Sequence, residues 1–332
     1  MTVTSRASGT ATFPLIDVGR WRAGDEHERR TIARQVDACL RETGFLIIVE
    51  HGISDELIGE VRRLSREAFA LSPEVKGRYR QRQGIGSPGW TPIGSEANAY
   101  ASGEASPPDL KEAWTVGPVE PGDVVATSLG VIPVENRFPA EVPDFESVVT
   151  EYVRAGVALS TDVFELLAHA AELPTDTFLA RCRTPLHNLN LTWYPPIDQV
   201  AGISEPAPGQ FRIGPHSDFG TITLLQREES DPPLQIQLVD GSWIDLPHVP
   251  GAIVVNTGDQ LAYWSGDRWR SNPHRIPAPV GEAATRGSLS LVLFLETDVD
   301  AMLQPVGHPE REPMDATGFL IDKLAAIDMD MP

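Results

Sequence analysis

The stretch LHNLNLTWY, residues 186–194, places Leu189, Leu191 and Trp193 on one side of an extended chain and Asn190, Thr192 and Tyr194 on the other. This period of two is that of a β-strand with one buried face. It also marks a change in the whole chain. Before it, apolar residues recur at helical spacing; after it, one short alternating segment follows another.

On the N-terminal side, FPLIDV reads as a strand. EHERRTIARQVDACLRETG carries Ile32, Val36, Cys39 and Leu40 at helical spacing before a glycine cap at Gly44. FLIIVEHG reads as a second strand. Ser54 and Ser72-Pro73-Glu74 open two further helices, and residues 144–173 carry the longest periodic pattern. The Gly/Ser/Pro/Ala-rich segment from Gly84 to Pro108 is a loop long enough to serve a ligand.

On the C-terminal side, TITLLQ, LQIQLVDGSWIDL with a turn at Asp240-Gly241, GAIVVNTGDQLAYW, RWRSNPHRI and GSLSLVLFLE read as successive strands. The expectation is an α+β, mainly β fold: a double-stranded β-helix, or jelly roll, with flanking N-terminal helices and a C-terminal helix, ATGFLIDKLAAI. A single domain over 1–332 is expected, helical from about 10 to 180, β from about 185 to 300, with a C-terminal segment over 301–332. No glycine-rich phosphate loop opens a helix after a strand, which argues against nucleotide binding.

The 332 residues are 41% hydrophobic and carry a net charge of −20, which disfavours nucleic acid and anionic membrane surfaces as partners. No apolar run approaches the roughly 20 residues of a membrane span, and the first residues lack a signal-peptide pattern, so a cytoplasmic location is expected. The two cysteines, Cys39 and Cys182, read as small buried hydrophobes.

One short motif then matters. In GPHSDFGTITLL, His216 and Asp218 stand two positions apart, on the same side of an extended chain, and could reach one ion. His274, in the strand pattern of RWRSNPHRI, is the candidate third ligand. Two imidazoles and a carboxylate leave one face of a metal open, the arrangement of non-haem Fe(II) oxygenases. In TRGSLSLVLFL, Arg286 and Ser288 share the polar face of a strand. An inward guanidinium calls for a carboxylate partner, which a dicarboxylate co-substrate would supply, with Ser288 and Tyr194 as further donors.

These residues sit in blocks that resemble the 2-oxoglutarate and Fe(II)-dependent dioxygenases of the isopenicillin N synthase-like group. FPLIDV, ACLRETGFLIIVEHGI, AFALSPEVKGRY and DLKEAWTVG resemble the family's N-terminal segment. LTWYPP, HSDFGTITLL, VVNTGDQLAYWSGDRWRSNPHRI and RGSLSLVLF follow in the family's order. The resemblance implies Fe(II) held by His216, Asp218 and His274. It also implies 2-oxoglutarate bound by Arg286 and Ser288, with Tyr194 and Thr192 beside it, and O2 as oxidant. Thr192, Glu50 and Gly287 depart from the family's usual residues. The implied reaction is hydroxylation, desaturation or oxidative cyclisation of a small-molecule metabolite in natural-product biosynthesis, of amino-acid, peptide or terpenoid type. An oxidase of the same fold that does not consume 2-oxoglutarate, and a catalytically silent binding protein, are the alternatives. Trp90, Trp114 and Arg212 are candidate substrate contacts, His51 a structural histidine, and the protein a monomer or homodimer.

Overall fold

The computed structural model describes residues 2–4, 11–99, 106–203 and 205–328. The N-terminal half lays down β1 (Thr2–Thr4), β2 (Thr12–Asp17), α1 (Val18–Ala23), α2 (Glu26–Thr43), β3 (Phe45–Val49), α3 (Asp55–Phe69), α4 (Pro73–Gly77), β4 (Gly89–Thr91), β5 (Glu112–Val116), β6 (Val124–Thr127), β7 (Gly130–Pro133) and α5 (Phe145–Ala170). The C-terminal half adds β8 (His187–Tyr194), β9 (Phe211–His216), β10 (Ile222–Arg227), β11 (Gln235–Gln237), β12 (Trp243–Asp245), β13 (Ile253–Thr257), α6 (Asp259–Trp264), β14 (His274–Pro277), β15 (Ser288–Leu295) and, after a short two-stranded hairpin, α7 (Ala316–Ile327).

The helix boundaries follow their caps. Asp25 accepts a hydrogen bond from the Glu28 amide to start α2, Ser54 does the same for Leu57 in α3, and Asp315 for Gly318 in α7. Helix α2 ends where Gly44 takes a left-handed φ of 71°. Helices α2 and α3 each pack against α5, and α5 meets β15 where Gly156 faces the Leu293 side chain.

Strands β8 to β15 form the jelly roll. Its larger sheet runs β1-β2-β3-β13-β10-β15-β8-β5-β4, and the smaller runs β12-β11-β14-β9. The two sheets face each other across a cavity, while the outward face of the larger sheet meets the helices and forms the main apolar core. A second apolar cluster, including Ile85, Leu186, Phe219, Leu320 and Ile327, gathers under α7.

Two strand assignments are corrected. In GAIVVNTGDQLAYW the strand stops at Thr257, and Asp259–Trp264 is helical, with Leu261 and Trp264 buried at i, i+3 spacing. The turn between them brings the backbone close to Gly220, where a Cβ on Gly258 would press on the Gly220 carbonyl. RWRSNPHRI is extended in the sheet only from His274, because Arg268 and the Trp269 indole turn away to Asp37. The 84–108 segment contains β4; its residues 100–105 lie outside the described residues.

Candidate active site

Strands β9 and β14 are antiparallel neighbours in which His216 and His274 are direct cross-strand partners, and Asp218 follows as β9 ends. The ring centroids lie 4.2 Å apart. The two Nε2 atoms lie 3.7 Å and 3.6 Å from the same atom, Asp218 Oδ1. One donor atom from each of the three buried residues falls within 4.8 Å of the others.

Each part of this cluster is oriented from behind. His216 Nδ1 lies 2.8 Å from the Gly214 carbonyl and His274 Nδ1 3.2 Å from the Asn272 carbonyl. A carbonyl only accepts, so Nδ1 carries the proton and the Nε2 lone pair faces Asp218. Asn256 Nδ2 donates to Asp218 Oδ2 at 2.6 Å, and the Thr223 hydroxyl donates to the same oxygen. That leaves Oδ1 for a cation.

Burial, then the neighbouring His274, holds the His216 imidazole well below its ordinary pKa, so it is neutral at physiological pH, as metal ligation requires. Burial alone would raise the Asp218 carboxyl; the two imidazoles and the Thr223 and Asn256 hydrogen bonds outweigh it and keep the group ionised. Two imidazole nitrogens and one carboxylate oxygen, buried at the wall of the cavity, fit Fe(II).

The cavity next to this cluster is walled by the inward faces of β8, β10 and β15. Asn188, Asn190, Thr192 and Tyr194 come from β8, and Ser288, Ser290, Val292 and Phe294 from β15; the buried pair Glu96 and Lys111 lines it as well. Leu320, Leu324 and Ile327 of α7 complete the lining.

The structure therefore brings His216, Asp218 and His274 together and puts Ser288, Tyr194 and Thr192 in the cavity wall, Ser288 directly opposite Tyr194. Arg286 is a correction. Its side chain is 62% exposed and pairs with Glu282, and sheet pairing begins only at Ser288. Gly287 between them lies under the Trp193 indole, where a Cβ would sit 2.5 Å from the ring.

Trp90, Trp114 and Arg212 are also corrected, because none of them lines the cavity. Trp90 donates its indole N–H to Glu112, and Trp114 donates to the Arg137 carbonyl within the core. Arg212 is 1% exposed, donates to the Arg286 carbonyl and lies over the Tyr194 ring. His51 is structural: it bridges the Gly251 carbonyl and the Ile53 amide.

Sequence reasoning missed Thr223, Asn256, Arg227 and Glu296. Asn256, a polar residue inside the apolar run IVVNT, was the visible signal of the supporting carboxamide. Glu296 is buried against Gly220, and burial followed by the charge of Asp218 pushes its carboxyl up to about 8.

A jelly roll with two histidines and an aspartate beside a cavity lined by both polar and apolar side chains defines a non-haem iron oxygenase. Two family descriptions match the chain: "non-haem dioxygenase in morphine synthesis N-terminal" over residues 13–140 and "2OG-Fe(II) oxygenase superfamily" over residues 185–296. Validamycin A dioxygenase of Streptomyces hygroscopicus subsp. limoneus is 33% identical over 90% of this chain and 81% of its own length. Homoarginine-6-hydroxylase 2-ODD-C23 of Glycine max is 26% identical over 90% of both chains. A full-length Neurospora crassa protein, crystallised in complex with alpha-KG, superposes with a TM-score of 0.82 at 25% identity, covering 98% of this chain and 100% of that one. The chain belongs to the 2-oxoglutarate/Fe(II) oxygenase superfamily, and it is a non-haem dioxygenase that uses Fe(II), 2-oxoglutarate and O2 on a small molecule.

Proposed function

We propose that the enzyme oxidises a polar natural-product metabolite, with His216, Asp218 and His274 as the iron ligands and Ser288, Tyr194 and Thr192 as 2-oxoglutarate contacts. The observation that carries this reading is the position of the cluster, beside a cavity that combines three carboxamides, Asn98, Asn188 and Asn190, with the Glu96–Lys111 pair and an apolar cover from α7. With Phe45, Ile213, Leu225, Leu234, Ile276 and Phe294 also in the wall, such a lining suits a ligand with several hydrogen-bonding groups on an otherwise apolar body. Relatives named validamycin A dioxygenase and 2-oxoglutarate-dependent dioxygenase ecdK, of Aspergillus rugulosus, support the natural-product setting.

Bound iron supplies the O2 chemistry: 2-oxoglutarate is oxidatively decarboxylated to succinate and CO2 while one substrate C–H bond is oxidised. The residues supply position. Asn256 and Thr223 fix the Asp218 carboxylate, and the Gly214 and Asn272 carbonyls fix the imidazole tautomers. Asn98 is held by Asp109, and Asn190 by Thr115, so the polar wall is pre-organised. Helix α7 excludes water from that side.

Among the described residues no helix is long and apolar enough to cross a membrane. The net charge of −20 disfavours nucleic acid and anionic membrane surfaces and supports a free small-molecule substrate. A panel of polar and purely apolar metabolites, assayed for succinate formed per substrate consumed, tests the substrate class. Coupled turnover is expected with polar compounds, and coupling confined to apolar ones contradicts the reading.

A further inference from the structure

With Arg286 outside, the 2-oxoglutarate end of the cavity lacks the cation the family resemblance led one to expect, and a different arginine stands there. Arg227 is the last residue of β10 and pairs in register with Ser290 of β15, which pairs in turn with Thr192 of β8. Directly opposed residues point to the same face, and Arg227, Ser290 and Thr192 all line the cavity, next to the Ser288–Tyr194 pair.

Arg227 is 6% exposed. Its Nη2 donates to the Leu246 and Pro247 carbonyls at 2.8 Å and 2.9 Å, while Nε and Nη1 are buried without a hydrogen-bond partner. No carboxylate among the described residues lies within ion-pair distance of it. A buried guanidinium without a carboxylate partner is costly, and two donors left without a protein acceptor in the cavity wall call for an anion from elsewhere. Burial lowers its pKa only to about 10, so the group stays cationic at neutral pH. The cavity's other strong cation, Lys111, is already paired with Glu96. Arg212, equally buried, is turned to the Arg286 carbonyl and is not in the lining.

We propose that Arg227 is the residue that pairs with the distal carboxylate of 2-oxoglutarate, with the Ser290 hydroxyl beside it, in the role expected of Arg286. This rests on the reading that the Ser288–Tyr194 end of the cavity receives the co-substrate. It assigns co-substrate selectivity to a strand on the opposite side of β15 from Tyr194.

The test is anaerobic equilibrium titration of the Fe(II)-loaded protein with 2-oxoglutarate and with 2-oxopentanoate, which lacks the distal carboxylate. The wild type is expected to prefer 2-oxoglutarate strongly. Arg227→Gln is expected to lose affinity for it on the order of 100-fold while 2-oxopentanoate binding and Fe(II) affinity stay unchanged, and Arg227→Lys to recover part of the loss. Arg286→Ala, at an exposed position that tolerates substitution, is expected to bind 2-oxoglutarate as the wild type does. If Arg286→Ala or Arg212→Gln loses the preference, or if folded Arg227→Gln keeps it, the proposal is overturned. A wild type that binds both keto acids equally instead overturns the placement of the co-substrate, and the proposal with it.

Discussion

His216 and His274 are direct cross-strand partners, and both aim Nε2 at one oxygen of Asp218. The sheet register thus builds the cluster that could hold a metal ion. The fourth participant is Asn256, on the other sheet, whose carboxamide holds the opposite oxygen of that aspartate.

Asn256→Ala is therefore expected to weaken Fe(II) binding roughly 10–100-fold without unfolding the protein, since partners that orient a ligand have effects of that size. Thr223→Ala should act in the same direction. Equilibrium metal titration with circular dichroism as the folding control measures both. An unchanged affinity in Asn256→Ala would show that the Asp218 carboxylate does not depend on its partner.

The packing of α5 against β15 makes a stability prediction. Gly156 lies in the helix with Leu293 directly over it, and Leu293 is fully buried. Gly→Ala in a helix ordinarily stabilises by up to about 1 kcal/mol. Here the added methyl would lie 2.3 Å from the Cδ2 of the buried Leu293 side chain, which must shift, and overpacking costs about 1–3 kcal/mol. Gly156→Ala should be net destabilising, read as a lower midpoint in urea denaturation; a raised midpoint would mean that Leu293 moves aside at little cost.

Glu296 makes stability depend on pH. Its folded pKa, about 8, lies above the ordinary 4.5, so the folded protein keeps a proton that the unfolded chain has released. Its contribution is complete below about pH 4.5, is lost progressively as the pH rises to about 8, and is constant above that. For metal-free protein, the denaturation midpoint of Glu296→Gln relative to the wild type should rise steadily between about pH 5 and pH 8. Parallel curves across that interval would place the Glu296 titration elsewhere.

Much of this architecture was legible in the chain because its signals are local. The alternation at Leu189, Leu191 and Trp193 requires only a period of two, and His216-x-Asp218 lies on one side of an extended chain for the same reason. Arg286 misled because that period was continued past the true start of β15 at Ser288. The helix at 259–264 hid in an apolar run that a short strand explains equally well, although Leu261 and Trp264 carry helical spacing. Thr223, Asn256 and Arg227 gain their roles from pairings between β10, β13 and β15, which no local pattern reveals.

The central claim, that the His216, Asp218 and His274 cluster holds iron beside a 2-oxoglutarate site, is tested most directly by anaerobic visible absorption. Adding 2-oxoglutarate to the Fe(II)-loaded protein should produce a weak charge-transfer band that His216→Ala and Asp218→Ala abolish. A folded, iron-loaded wild type without the band, or a band that survives both substitutions, would contradict it.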